Sequence, residues 1–320
     1  MLRRLVTIPV VGLFAIGLTA LAPGLLLLGL GVDCVRGRWS LPSPRIILFG
    51  LCFGWIESAG IVALLGVGLF TLGRKAARVS ITFAVQRLYT AALFKSVCAC
   101  LSLRFEVQGD GLIDAGPLLV LVQHASIIDT LVPGVFLAGR HRLKLRYVLK
   151  RQLRWGPCLD IAGGWLPNHF VSRDGADSER EISAVRALKE GMGPGEGVLL
   201  YPEGTRFSEA KKARALLKLE PKLKERAARL QHLLPPRLGG TLALFSAPPA
   251  CDLLIIAHHG LEGFASVKDI WSGRLVGTTL RIAFFRIPAA QIPLQREAQV
   301  DFLYQAWERV DSWLSEVSRA

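Results

Sequence analysis

Two long apolar stretches open the chain. Residues 5–31 contain no charge, and residues 46–72 contain only Glu57. Each exceeds the roughly 20 apolar residues that a membrane-crossing helix requires. Arg3 and Arg4 stand where the basic start of a secretory signal would, but the run behind them is too long for a signal core and a second run comes almost at once. The pattern therefore predicts a helical hairpin over residues 1–75, transmembrane or embedded in one leaflet, and a cytoplasmic domain over residues 76–320. Pro23 marks a place for a kink. Glu57 would be costly against lipid, which suggests either a functional role or a Glu that faces the partner helix, lies near the interface or is protonated. Arg3, Arg4, Arg74, Lys75 and Arg78 outnumber Arg36, Arg38 and Arg45 of the connecting loop, which favours placing both flanks on the cytoplasmic side by a thin margin.

Beyond residue 75 the apolar runs become short. A basic connector over 74–100 leads to a strand-like segment at 103–109, and Gly116-Pro117 then punctuates the chain before LLVLVQ at 118–123. Further buried strands are expected at 197–201 and 252–257. Ser178 and Glu181 have capping-box spacing ahead of Ile182, Val185 and Leu188, so a helix opens there. Strands alternating with helices indicate an α/β class: a mixed, largely parallel sheet with flanking helices, preceded by the membrane hairpin. Residues 211–237 carry nine Lys or Arg against two Glu among regularly spaced leucines, which reads as a basic amphipathic surface element broken at Pro221. The last helix, with Leu303, Trp307, Val310, Trp313 and Leu314, is expected to pack on the core.

Composition narrows the partners. A net charge of +14 suits anionic lipid heads or nucleic acid. Nothing in the chain resembles a DNA- or RNA-reading module, so beside two membrane-length segments the expected partner is lipid. The six cysteines include no CxxC pair, which argues against a zinc site or a disulfide framework and for reduced, mostly buried thiols.

Chemistry concentrates where strands end. His124 and Asp129 come directly after the strand at 118–123, and Ser126 with Asp129 has the spacing of an N-cap and its third helical position. With the histidine in the turn and the aspartate in the first helical turn, the two meet, and a carboxylate-held imidazole can act as a general base toward an alcohol. The plainer alternative is a helix cap beside an ordinary turn histidine. His169 and Asp174 share the spacing without that context. Tyr201-Pro202-Glu203-Gly204-Thr205-Arg206 succeeds the next strand, and its arginine offers a donor fork suited to phosphate, with Glu203 able to hold the fork or the loop backbone. Phe170-Val171-Ser172-Arg173 supplies another arginine before a helix.

The order HxxxxD, FxxR, PEGTR resembles the glycerolipid acyltransferase family that includes the 1-acylglycerol-3-phosphate acyltransferases, over roughly residues 90 to 260. Lys150-Arg151-Gln152-Leu153, with Trp155 and Pro157, is similar to the segment that family has between its first two motifs. The resemblance implies His124 as catalytic base and Asp129 as its orienting partner. It further implies Arg173, Glu203, Gly204, Thr205, Arg206 and Lys150 at the acceptor's glycerol phosphate. Asp252 opens a run that lacks the proline usual in the family's fourth motif. The implied reaction moves a fatty acyl group from acyl-CoA or acyl-carrier protein, as donor substrate, to the sn-2 hydroxyl of 1-acylglycerol-3-phosphate, with no cofactor and no metal, on the cytoplasmic face of a membrane. Another lysolipid acceptor, an acyl thioesterase and a non-catalytic membrane scaffold of the same fold are the competing readings.

Overall fold

The computed structural model describes residues 2–126, 128–172, 178–262, 269 and 271–319. Three long helices come first: α1 (Leu2–Val35), α2 (Pro42–Phe70) and α3 (Lys75–Leu101). Beyond them lies a seven-stranded sheet in the order β1-β7-β6-β2-β5-β3-β4. Its strands are β1 (Arg104–Gln108), β2 (Leu118–Val122), β3 (Lys144–Lys150), β4 (His169–Val171), β5 (Glu196–Leu200), β6 (Asp252–His259) and β7 (Thr279–Ile287). Every neighbouring pair is parallel except β6 with β7. The expected mixed, largely parallel α/β class is observed.

All five residues of β2 are buried because helices cover both faces of the sheet. The pleat sends Leu118, Val120 and Val122 to one face, where Phe94, Val97 and Leu101 of α3 meet them. Leu119 and Leu121 point to the other, against Val185 of α5 (Ser178–Ala187). The last helix, which spans Arg296–Arg319, adds Leu303, Trp307, Val310 and Leu314 to that second layer.

Three strands were not expected. β4 (HFV) is too short to show a pattern, and β3 (KLRYVLK) and β7 (TLRIAFFRI) carry basic residues inside their apolar runs. The fold accommodates them with partners: Arg146 binds Glu196 at 2.7 Å, and Arg286 binds Asp252 at 2.6 Å. The basic stretch at 211–237 also divides differently. It forms α6 (Glu209–Leu216) and α7 (Pro221–Arg229), with Pro221 in the first turn of α7. Leu230, Leu233 and Leu234 then turn inward and are buried, so only part of the segment is a surface. Of the six cysteines, all free, only Cys158 and Cys251 are buried.

The first two helices are long and apolar enough to cross a membrane. They pack as a hairpin, and both ends of that hairpin touch the sheet-bearing part of the chain. At one end Arg3 and Arg4 bind Asp160 of α4 (Pro157–Trp165) at 2.7 and 2.6 Å, joined by Arg154 at 2.8 Å. At the other, Arg38 donates to the Trp271 carbonyl at 3.1 Å, and Arg45 to the Cys100 carbonyl and Ser102 Oγ at 2.8 Å each. Glu57 faces inward from α2, its carboxylate accepting from the Cys158 N–H at 3.0 Å and from the Tyr89 hydroxyl of α3. Away from the domain the hairpin presents Leu5, Val10, Leu13, Ile16, Val62 and Leu65 to its surroundings.

Candidate active site

In a parallel sheet the strand carboxyl ends point the same way, and the loops beyond them form a crevice. Here β2 delivers His124, β5 delivers Tyr201 to Arg206, β3 ends at Lys150, β4 ends just before Ser172, and β6 delivers His258 to that edge. His124 Nδ1 lies 3.1 and 3.2 Å from the two carboxylate oxygens of Asp129. Asp129 Oδ2 also accepts the backbone N–H of Ala125 and of Ser126, each at 2.8 Å, while Ser126 Oγ accepts from Ile128 N at 3.0 Å. This is the reciprocal cap that the Ser/Asp spacing predicts, but the chain continues as one 3₁₀ turn (Ile128–Leu131) and then a π-type helix (Gly134–Arg140), not a regular α-helix. Widened turns of this kind recur at functional sites.

Asp129 is 0% exposed. Burial pushes its carboxyl up, but the hydrogen bonds and charges of His124 and His258 outweigh burial and hold it below the usual carboxylate range. With Nδ1 committed to Asp129, Nε2 is the nitrogen left for a substrate, and His124 lines a cavity of about 1330 Å³. The Tyr201 ring packs on the imidazole at 4.8 Å between centroids. Burial, and then the charge of Asp129, raise the Tyr201 phenol far above its ordinary range, so it remains a neutral wall.

The PEGTR loop is tied to the His124 turn from beneath. Glu203 Oε1 accepts the His124 N–H at 2.8 Å and Oε2 accepts the Leu234 N–H at 2.9 Å. Both oxygens are thus spent on backbone, and the side chain lies under the loop, away from the cavity wall. Burial pushes the Glu203 carboxyl up to about 8, since the two amide bonds offset only part of it. Gly204 makes the turn, its N–H donating to the Tyr201 carbonyl at 2.9 Å with φ +67°, a conformation that favours glycine. Phe207 N–H closes the loop onto the His124 carbonyl at 3.2 Å.

Gly204, Arg206 and Lys150 line the same cavity as His124, together with Arg151 and Arg237. Thr205 and Glu203 are not among the residues that line it. Arg173 and Asp174 lie outside the described residues. His169 pairs instead with Glu181 Oε2 at 2.6 Å. Much of the remaining cavity wall is apolar and comes from the hairpin side, with Phe49, Phe53 and Leu64 of α2, Leu93 and Val97 of α3, and Leu159 of α4, although Glu57 and Gln86 border it too. Sequence reasoning had no means of joining residues 49–97 to His124. It also passed over His258, although two histidines closing a buried strand were a visible break in an apolar pattern.

A histidine–carboxylate pair thus stands at the carboxyl edge of an α/β sheet and borders a cavity lined by both cationic and apolar side chains. Residues 104–239 match the family model described as Acyltransferase. A curated mouse protein named 1-acyl-sn-glycerol-3-phosphate acyltransferase epsilon is 24% identical over 221 residues, covering 62% of this chain and 57% of that protein. The chain therefore spans little more than half the length of that relative. The crystal structure of the 1-acyl-sn-glycerophosphate acyltransferase PlsC from Thermotoga maritima shares the fold at a TM-score of 0.53, with 14% identity, 86% of this chain and 98% of that one being covered. Residues 104–239 are thus similar to acyltransferases, and the likeness to PlsC is one of fold.

Proposed function

We propose that this protein is a membrane-bound O-acyltransferase that moves a fatty acyl group from acyl-CoA or acyl-carrier protein to the sn-2 hydroxyl of 1-acylglycerol-3-phosphate, forming phosphatidic acid. One observation carries the reading: His124, oriented by a buried carboxylate, borders a cavity that is lined by cationic side chains and by many apolar ones. The cationic lining, with Arg206 and Lys150 and, by family resemblance, Arg173, suits the acceptor phosphate. The apolar lining suits acyl chains.

The reaction is a single displacement. His124 Nε2 takes the acceptor's hydroxyl proton as the oxygen attacks the thioester carbonyl carbon, and the carbon–sulfur bond breaks as the tetrahedral species collapses. The departing thiolate then takes the proton from the imidazolium, leaving His124 neutral. Asp129 keeps the Nδ1–H tautomer and stabilises the transient cation, as carboxylates do for catalytic histidines. A base so placed contributes about 10²- to 10⁴-fold, and proximity within the cavity supplies further acceleration.

The hairpin belongs in one leaflet, along the membrane surface. A 34-residue helix is about 51 Å long at 1.5 Å per residue. A hairpin crossing the bilayer would carry its loop to the far side, yet here loop and opposite end both contact one domain. The exposed apolar face would then sit among acyl chains, with the cavity opening toward the lipid that supplies the acceptor and the catalytic domain on the cytoplasmic side.

Detergent-purified protein incubated with acyl-CoA or acyl-carrier-protein donors and a panel of lysophospholipids tests the proposal, with diacyl product and free thiol measured separately. Transfer should be lost in His124→Ala. In Arg206→Ala the KM for the phosphate-bearing acceptor should rise about tenfold while kcat changes less, as for removal of uniform binding. Thiol release with no acylated acceptor would identify a thioesterase. No turnover with either donor would leave a membrane scaffold.

A further inference from the structure

Asp129 is gripped from two sides. His124 and the amides of Ala125 and Ser126 approach it from the turn. Behind it, at the end of β6, stands His258, 0% exposed, with Nε2 3.5 Å from Asp129 Oδ2 and 3.3 Å from the Gln123 carbonyl oxygen. Both neighbours of that nitrogen are acceptors, so Nε2 carries a proton. The ring is held by the sheet: β2 and β6 pair in register from Leu118↔Asp252 to Val122↔Ile256, and one step further the His258 N–H donates to Gln123 Oε1 at 2.9 Å. Nδ1 finds no partner among the described residues. Burying an imidazole with one nitrogen unsatisfied is costly where an apolar side chain would fill the space, and the five residues before it in β6, Leu253 to Ala257, are all Leu, Ile or Ala.

We propose that His258 is a positioning residue: its Nε2–H holds the Asp129 carboxylate turned toward His124 Nδ1, making a His124–Asp129–His258 relay in which only His124 meets substrate. The proposal rests on the reading of His124 as base. A carboxylate wholly removed from water keeps its charge only if its lone pairs are satisfied. The two amides fix Oδ2 from the turn side, and His258 supplies the donor from the sheet side, so the carboxylate cannot swing away from His124 as charge moves between them. Among the described residues, the charged and titratable groups around His258 are Asp129 and His124 across the turn, Glu262 on its own segment, and Tyr201 and Glu203 beyond Asp129. Its neighbour His259 turns instead to Glu262, 3.4 Å away.

The test compares the full-length wild type with His258→Gln, which retains an N–H near the Nε2 position, and His258→Phe, which fills the space without a donor. With long-chain acyl-CoA and 1-acylglycerol-3-phosphate, His258→Phe should lower kcat roughly 10- to 100-fold with the acceptor KM held within about twofold, the scale seen for partners one step removed from a working histidine. His258→Gln should recover most of that loss. Independently of turnover, ¹⁵N-histidine NMR should place the His258 proton on Nε2, and should show the His124 Nδ1–H···Asp129 signal in wild type and His258→Gln but not in His258→Phe, with His124→Ala assigning it. Should His258→Phe fail to melt cooperatively, His258→Met takes its place. An unaltered kcat and His124 signal in the donor-free variant, or an Nδ1–H tautomer at His258, would overturn the proposal. A wild type that binds but does not turn over would sink the acyltransferase reading alone, and the NMR comparison would still decide the role of His258.

Discussion

In the proposed mechanism the chemistry at His124 depends on a proton that must leave one nitrogen while the other keeps its own, an arrangement that Asp129 sets. Asp129→Asn preserves the shape of the side chain but removes the charge that stabilises an imidazolium. Its kcat should therefore fall by about 10²- to 10⁴-fold with the fold intact by circular dichroism. Glu203 makes the opposite electrostatic case. Its carboxyl ordinarily titrates at 4.5 and in the fold is pushed up to about 8, so between these values the folded chain holds a proton that the unfolded chain has released. Stability contributed by this group is therefore lost as pH rises through that window, by at most about 1.4 kcal/mol per pH unit. Glu203→Gln loses one backbone contact at every pH but flattens that slope. Urea unfolding in detergent at pH 5, 6, 7 and 8 measures it, and equal slopes in the two proteins would refute the assignment.

Among the elements, α4 is the joint between hairpin and domain. Asp160 is 2% exposed and receives Arg3, Arg4 and Arg154. Burial pushes its carboxyl up, and the three guanidinium groups pull it further down, so it remains charged. Asp160→Ala leaves three cations facing one another. The cost should be about 2–3 kcal/mol, below that of a fully buried pair because the arginines keep partial access to water. Limited proteolysis of the first ten residues should accelerate in parallel with a lower Tm in detergent. A lower Tm with unchanged cleavage would place the loss elsewhere. Two of the overlooked strands, β3 and β7, belong to this scale as well. Arg146 in β3 and Arg286 in β7 look like surface residues until Glu196 and Asp252 are placed beside them. Local pattern cannot report a partner 34 or 50 residues away.

For the whole molecule, the decisive feature is that both ends of the apolar hairpin are fastened to the domain. An in-plane hairpin puts its loop on the same side of the membrane as the active site. In sealed vesicles carrying the domain outward, a variant retaining only Cys34, which is exposed next to the loop, should be modified by a membrane-impermeant maleimide without detergent. Protection until detergent is added would mean that the loop has crossed. The same geometry makes the hairpin part of the cavity that His124 borders, since Phe49, Phe53 and Leu64 wall it. Leu93→Trp, which adds bulk to that wall from α3, should shift preference toward shorter acyl donors, visible as a changed ratio of kcat/KM for C12 and C18 acyl-CoA. An unchanged ratio would place the acyl chain elsewhere.

By itself the sequence determined what local rules govern: two membrane-length helices, short buried strands alternating with helices, a cap that lets His124 and Asp129 meet, and the loop after β5 bearing Arg206. Each arises from residue type and spacing within a few positions, where sterics and hydrogen bonding leave few options. Tertiary structure alone decided the rest. It gave Glu203 to two backbone amides, brought His258 behind Asp129 across the β2–β6 pairing, and folded α2 and α3 into the cavity wall. These contacts join residues far apart in the chain, and they are selected by the shared burial of whole helix and sheet faces, a property that no short stretch of sequence contains.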